Sequence, residues 1–168
     1  MAQDTDNPCH TPGVAHGHEL VLRRVFDAAP DQIWKAWMEP ALLQRWFCPK
    51  PWYVTDAVIE PRPGGRFNCV MHGPNGEVMP NSGVFLEVVP QRKWTTTDAF
   101  TPDWKPAGQP FMVATVELIP LADGKTEYVA TARHWNEATM KQHEAMGFHE
   151  GWGAAADQLA ELLKEMKS

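Results

Sequence analysis

The sequence predicts an α+β domain: a curved antiparallel sheet of about six or seven strands holding one long C-terminal helix, with two short helices after the first strand. Three observations lead there. Apolar residues recur at helical spacing from Phe148 onward, through Trp152, Ala155, Ala156, Leu159, Leu162, Leu163 and Met166. Asp157, Gln158, Glu161, Lys164 and Glu165 take the opposite face. The middle of the chain alternates short β-type runs with turn residues. Runs of strands flanked by helices belong to antiparallel α+β architectures.

The elements follow in order. His18 to Phe26 alternates β-type residues and reads as the first strand. Pro30 suits a first helical turn and opens a helix to Trp37, with Ile33, Trp34 and Trp37 on one face. Pro40 ends it, and Ala41 to Phe47 form a second short helix carrying Leu42, Leu43, Trp46 and Phe47. Val54 to Ile59 is the next strand. Pro61-Arg62-Pro63-Gly64-Gly65 turns the chain into a strand over Arg66 to His72, with Phe67, Cys69 and Met71 on one side. Asn75-Gly76 signals a tight turn, because both residues tolerate positive φ. Val84 to Val89 and Lys93 to Phe100 are strands joined at Pro90-Gln91-Arg92. Thr101 to Pro110 is a long loop around Trp104 and a candidate lid. Met112 to Leu118 and Glu127 to Trp135 make a last hairpin through Asp123-Gly124. Gly147, Gly151 and Gly153 punctuate the start of the terminal helix. Each glycine inside a helix costs on the order of 1 kcal/mol. Close packing on the sheet, or room for a bound molecule, would offset that.

With 168 residues, one domain with a sizeable core is the natural reading. Residues 1–17 carry Asp4, Asp6, Pro8 and Pro12 without an apolar stretch. They read as a flexible tail, not a signal peptide, ahead of a single domain over 18–168. No apolar run approaches the roughly 18 residues of a spanning helix, so no membrane insertion is expected. The net charge of -6 argues against nucleic acid as a partner. Cys9, Cys48 and Cys69 are odd in number and widely spaced, which suggests reduced thiols and a cytoplasmic setting, and Cys48, before Pro49, and Cys69, mid-strand, read as buried and unreactive. Tryptophan is over-used: eight stand against two tyrosines. Such a set builds either a dense core or the wall of a pocket.

Several motifs resemble a known superfamily. Arg24-Val25-Phe26, Ala29-Pro30, Ile33-Trp34, Ala36-Trp37, Pro40 and Leu43 through Trp46-Phe47 look like the opening of the START-like, or SRPBCC, superfamily. Gly64-Gly65 and Gly83 with Glu87 and Pro90 resemble its middle strands. Ala132 to Trp135, His143, Met146 to His149, Gly151-Trp152 and Leu159 are similar to the branch related to activators of the heat-shock protein ninety ATPase. The resemblance covers roughly residues 18 to 166. It implies a helix-grip fold with a hydrophobic cavity between sheet and helix. It also implies kinship with polyketide cyclases or dehydratases, lipid-transport proteins and stress-response co-chaperones. A fold does not by itself transmit a reaction. The eukaryotic activators carry an additional N-terminal domain, where this sequence has only a short tail before its first strand.

Residue chemistry narrows the site. Ser82 and Ser168 lie in no nucleophile elbow, and no phosphate-binding loop or dinucleotide fingerprint is present, so no cofactor is expected. The histidines lack metal-ligand spacing: His143 and His149 are six apart, and His16 lies near the loose terminus. No metal is expected. If Glu127, Val129 and Thr131 face solvent, then Tyr128, Ala130, Ala132 and His134 face inward, and the two alanines leave volume. His134 is then a core histidine satisfied by backbone or a group that orients a ligand, with His143 and His149 as neighbours. Trp94, Thr96 and Asp98 share a face, and an inward Asp98 needs a partner.

The expected function is binding of a small hydrophobic or aromatic molecule. Its candidate wall is Trp37, Phe67, Met71, Trp94, Met112, Tyr128, Phe148 and Trp152, with Asp98 and His134 as polar groups. A cyclase- or dehydratase-like enzyme using His134 and Asp98 is one alternative. A co-chaperone contacting a heat-shock protein through the outer face of the sheet is another. A second copy of the chain, as a homodimer, stands as a further candidate partner.

Overall fold

A computed structural model describes residues 18–167. The expected N-terminal tail, with Cys9 and His16, lies outside the described residues. Strand β1 (Glu19–Phe26) leads into helices α1 (Pro30–Met38) and α2 (Pro40–Leu43). Next come β2 (Tyr53–Ile59), β3 (Phe67–His72), β4 (Val78–Asn81), β5 (Val84–Val89) and β6 (Lys93–Thr97). The two-residue strands β7 (Phe100–Thr101) and β8 (Lys105–Pro106) precede β9 (Val113–Pro120) and β10 (Thr126–Arg133). Helices α3 (Glu137–Ala145) and α4 (Phe148–Lys167) end the chain.

All strand pairs are antiparallel. One sheet runs β1-β10-β9-β6-β5, and a second runs β2-β3-β4. They join where Arg66 bridges Val84 and where Phe67 N donates to Gly83 O at 3.0 Å. The joint needs two glycines. A Cβ on Gly65 would sit 2.0 Å from Glu60 O, and one on Gly83 would sit 2.4 Å from Thr97 O.

Helix α4 buries Phe148, Ala155, Ala156, Leu159, Leu162 and Leu163, the face its spacing predicts. Its anchor is a side chain on the polar face. Gln158 Nε2 donates to Trp46 O at 3.0 Å and Cys48 O at 2.7 Å, and Gln158 Oε1 accepts from Lys50 N at 2.9 Å. Each such bond contributes about 1 kcal/mol net. Gln158→Ala is therefore expected to lower stability by about 1–2 kcal/mol in urea unfolding; a change under about 0.3 kcal/mol would refute the anchor.

Four expectations need correction. The segment Ala41 to Phe47 is helical only to Leu43, and turns carry Trp46 to the same core. β4 is absent from the sequence-based reading because it contains Pro80. It is an edge strand, where a missing N–H is tolerated. α3 escapes it too, because His143 is its one buried residue and apolar periodicity is lacking. Gly147 lies outside the terminal helix at φ +97°, ending α3 by donating to Glu144 O at 3.0 Å. A Cβ on Gly151 would meet open space, so close packing on the sheet does not call for that glycine.

The loop from Thr101 to Pro110 folds on itself through β7 and β8 and lays the Trp104 ring over Gly64. Alternation along β10 places Tyr128, Ala130 and Ala132 inward. Val129 and Thr131 face outward yet are covered by neighbouring side chains rather than solvent. On that outer face Thr131 stands opposite Thr115 and Thr115 opposite Thr95, with 3.1 Å between the Thr95 and Thr115 hydroxyls. Arg133 Nη1 donates to Thr115 Oγ1 at 3.3 Å.

Candidate functional site

Two groups of residues gather the predicted site. The first lies where β10 meets α3 and α4. His134 follows β10, whose alternation turns its ring inward, and His143 comes from α3. His134 Nδ1 lies 2.9 Å from Phe111 O, and its Nε2 lies 3.0 Å from His143 Nδ1. A carbonyl only accepts, so Nδ1 of His134 carries the proton and donates. Its Nε2 then accepts from His143 Nδ1–H. His143 Nε2 is left with a lone pair and no hydrogen-bond partner among the described residues.

Burial enforces neutrality. It pushes His143 down to about 4, helped by the repulsion that a protonated His134 beside it would exert. Burial also lowers His134, opposed by its bond to Phe111 O and by Asp98. Aromatic rings surround the pair. Phe111 stands edge-on to both imidazoles at 4.9 Å between centroids, and Phe148 and Trp152 approach His143 at 5.2 and 5.9 Å. Asp98 finds its partner in the backbone: Phe111 N and Met112 N donate to its carboxylate at 2.8 and 3.2 Å. Asp98 thus shapes the loop that presents Phe111 to His134. His149 does not join the cluster; it lies exposed at 3.6 Å from Glu144.

The second group is the aromatic core between α1, β3, β6 and β10. Trp37 meets Trp94 at 5.3 Å, Phe67 at 6.0 Å and Trp46 at 5.2 Å between ring centroids. Trp46 Nε1 donates to Ala36 O at 3.0 Å. The indole nitrogens of Trp37 and Trp94 are fully buried and have no hydrogen-bond partner among the described residues. Burial holds the Tyr128 proton on well above the usual phenol range, opposed by the neighbouring Trp37 indole, which stops short of full hydrogen-bond geometry. A buried donor left unpaired costs about 1–3 kcal/mol.

Met71 belongs to neither group. It packs with Cys48, Val54 and Cys69 in a separate small cluster behind β2 and β3. Both thiols there are buried and pushed up, Cys48 to about 12 and Cys69 to about 11, which keeps them protonated and inert. The hollow expected between helix and sheet is occupied by the chain's own rings: Phe85, Trp94, Phe148 and Leu159 are at most 1% exposed. Two shallow, open clefts lie on the flanks of α4, one lined by Val25, Phe26, Ala160 and Leu163 and the other by Arg45, Lys50, Gln158 and Leu162. Among the described residues, no three His, Cys, Asp or Glu side chains gather as metal ligands. No described helix is long and apolar enough to cross a membrane.

Phe111 is the site residue least visible in the sequence, whereas His143 was expected beside His134 but on the terminal helix rather than on a helix of its own. Phe111 sits at the end of a proline-rich loop, and His143 on a polar helix. Asn136 offered a signal for that helix: its side chain caps Thr139 N at 2.8 Å, just ahead of Glu137 in the first turn.

A bent antiparallel sheet gripping a long terminal helix defines the START-like helix-grip class. Residues 27–164 match the family described as activator of Hsp90 ATPase homolog 1-like protein, and the chain belongs to that family. It is similar to protein NE0264 from Nitrosomonas europaea, with 43% identity, a TM-score of 0.86, and coverage of 90% of this chain and 97% of that one. A Rhodobacter sphaeroides protein is 25% identical at a TM-score of 0.76, covering 89% of this chain and 93% of its own. The AHSA1 protein from Silicibacter pomeroyi shares the fold at 22% identity and a TM-score of 0.69, over 88% and 99% of the two chains. The comparison with curated proteins finds no match.

Proposed function

We propose that the chain binds a small hydrophobic or aromatic molecule between α4 and the sheet, and that the histidine pair orients it. The observation that carries this reading is the lone pair on His143 Nε2, held neutral among the rings of Phe111, Phe148 and Trp152. Apolar walls with one unspent polar atom are the makeup of a ligand site. The rings part to admit the guest, and its apolar area contributes roughly 25 cal/mol per Å². A hydroxyl on the guest donates to His143. Buried, protonated thiols accord with a reducing, cytoplasmic setting.

A cyclase- or dehydratase-like reaction would have to draw its base from His143, because both nitrogens of His134 and the carboxylate of Asp98 are already engaged. Co-chaperone contact through the outer face has less support. That face carries threonine hydroxyls and the ion pairs Arg23–Glu127 and Arg133–Glu19.

Tryptophan emission tests the binding. Naphthols, long-chain alcohols and polyketide-like phenols are expected to quench it saturably. His143→Phe is expected to weaken the hydroxylated guests about tenfold while sparing their hydrocarbon counterparts. No quenching across the panel would refute the reading.

A further inference from the structure

We propose that the unpartnered indole N–H groups of Trp37 and Trp94, with the Tyr128 hydroxyl, form a recognition point for a neutral carbonyl oxygen on the bound molecule. The inference rests on the ligand-binding reading and adds the chemistry of the guest.

More than nine-tenths of buried polar groups in folded proteins have a partner. Here two indole nitrogens lack one, and their rings touch, with centroids 5.3 Å apart and planes at 62°. Both residues are more than nine-tenths buried. Trp46, in the same aromatic cluster, does pair its nitrogen, with Ala36 O. The lack therefore belongs to Trp37 and Trp94 and is not a general property of indoles in this core.

Three features select the guest. The two orphaned groups are donors only, since an indole has no acceptor atom, and the Tyr128 hydroxyl beside them can donate as well. The complementary atom is therefore an acceptor. The rings that touch Trp37 and Trp94 are Trp34, Trp46, Phe47 and Phe67, with no cation among them, so a carboxylate or phosphate would enter uncompensated. A neutral ketone, aldehyde or ester oxygen fits. Trp94 stands opposite Val116, and Val116 opposite Ala130, so the indole shares the inner face of the sheet with the small-residue stretch of β10.

An isosteric pair of probes tests this. Acetophenone and isopropenylbenzene differ by C=O against C=CH2 at the same shape. Both are titrated into the 15N-labelled protein while the indole N–H signals are followed, assigned through Trp37→Phe and Trp94→Phe. Acetophenone is expected to bind about tenfold tighter than its hydrocarbon twin. It is also expected to move the Trp37 and Trp94 indole protons downfield, and Trp94→Phe should shrink its advantage to about threefold or less. Equal affinity for the twins would overturn the carbonyl inference and leave apolar binding standing. So would a water bridging the two N–H groups that stays in place when the ketone is bound. Binding of neither probe up to saturation would overturn both readings. The comparison of twins on the unaltered protein needs no variant, so a misfolded substitution does not blunt the test.

Discussion

Gly65→Ala is expected to destabilise the domain by about 3–5 kcal/mol, enough to unfold much of it at 37 °C. The added methyl would lie 2.0 Å from Glu60 O and 3.0 Å from Arg62 O. Neither neighbour is a side chain that can swing away. Glu60 O accepts from Arg62 N at 2.7 Å, and Gly65 N donates to Arg62 O at 2.8 Å. Phe85 N donates to Gly65 O at 2.9 Å, and Gly64 N to Phe85 O at 2.7 Å, so any retreat pulls on the joint between the two sheets. Gly76→Ala is the control. Its φ is +86° but nothing lies within 4 Å of the new methyl, so it should cost only about 1 kcal/mol of backbone strain. Urea unfolding of the two variants checks the contrast. Equal, small losses would show that the turn has room to adjust.

Acid is expected to weaken the fold through the histidine pair well before the carboxylates titrate. An unfolded histidine takes a proton near pH 6.5, while His143 in the fold resists it to about 4. Between those values the unfolded chain binds more protons, so stability is full above about pH 6.5 and declines as pH falls toward 4. The integrated loss from His143 is about 2–3 kcal/mol. His134 adds in the same direction, since burial also lowers it. The check is the urea midpoint from pH 7.5 to 4.5, compared with that of His143→Phe. The variant should start lower and fall less steeply. Parallel curves would mean that the pair does not resist protonation.

The fold was legible because its periodicities are strong. The long helix and the last hairpin carry their apolar faces in plain spacing, and Pro30, Pro40 and Asn75-Gly76 mark real boundaries. The site was half legible. Alternation from Tyr128 finds His134, because period two holds to the end of β10 and one residue beyond. Asp98 was rightly expected to need a partner, but spacing does not reveal that the partner is backbone thirteen residues on. Met71 shares its strand face with Phe67, yet β3 lies in a separate small sheet that carries its far end to another cluster. Whether the space under the helix is hollow or filled depends on how Trp37, Trp46, Trp94 and the rings around them choose their rotamers, and no pattern along the chain encodes that.

The hydroxyl row on the outside of the main sheet has a consequence for assembly. A strand displaced by two residues keeps its inward and outward alternation, so hydrophobic burial alone does not forbid the error. Here such a displacement would set Thr131 against Glu117 or Val113 in place of Thr115. The row would come apart, and Arg133 would lose the hydroxyl it reaches. The threonines thus act as an alignment mark, making one of several equally greasy pairings the one that closes.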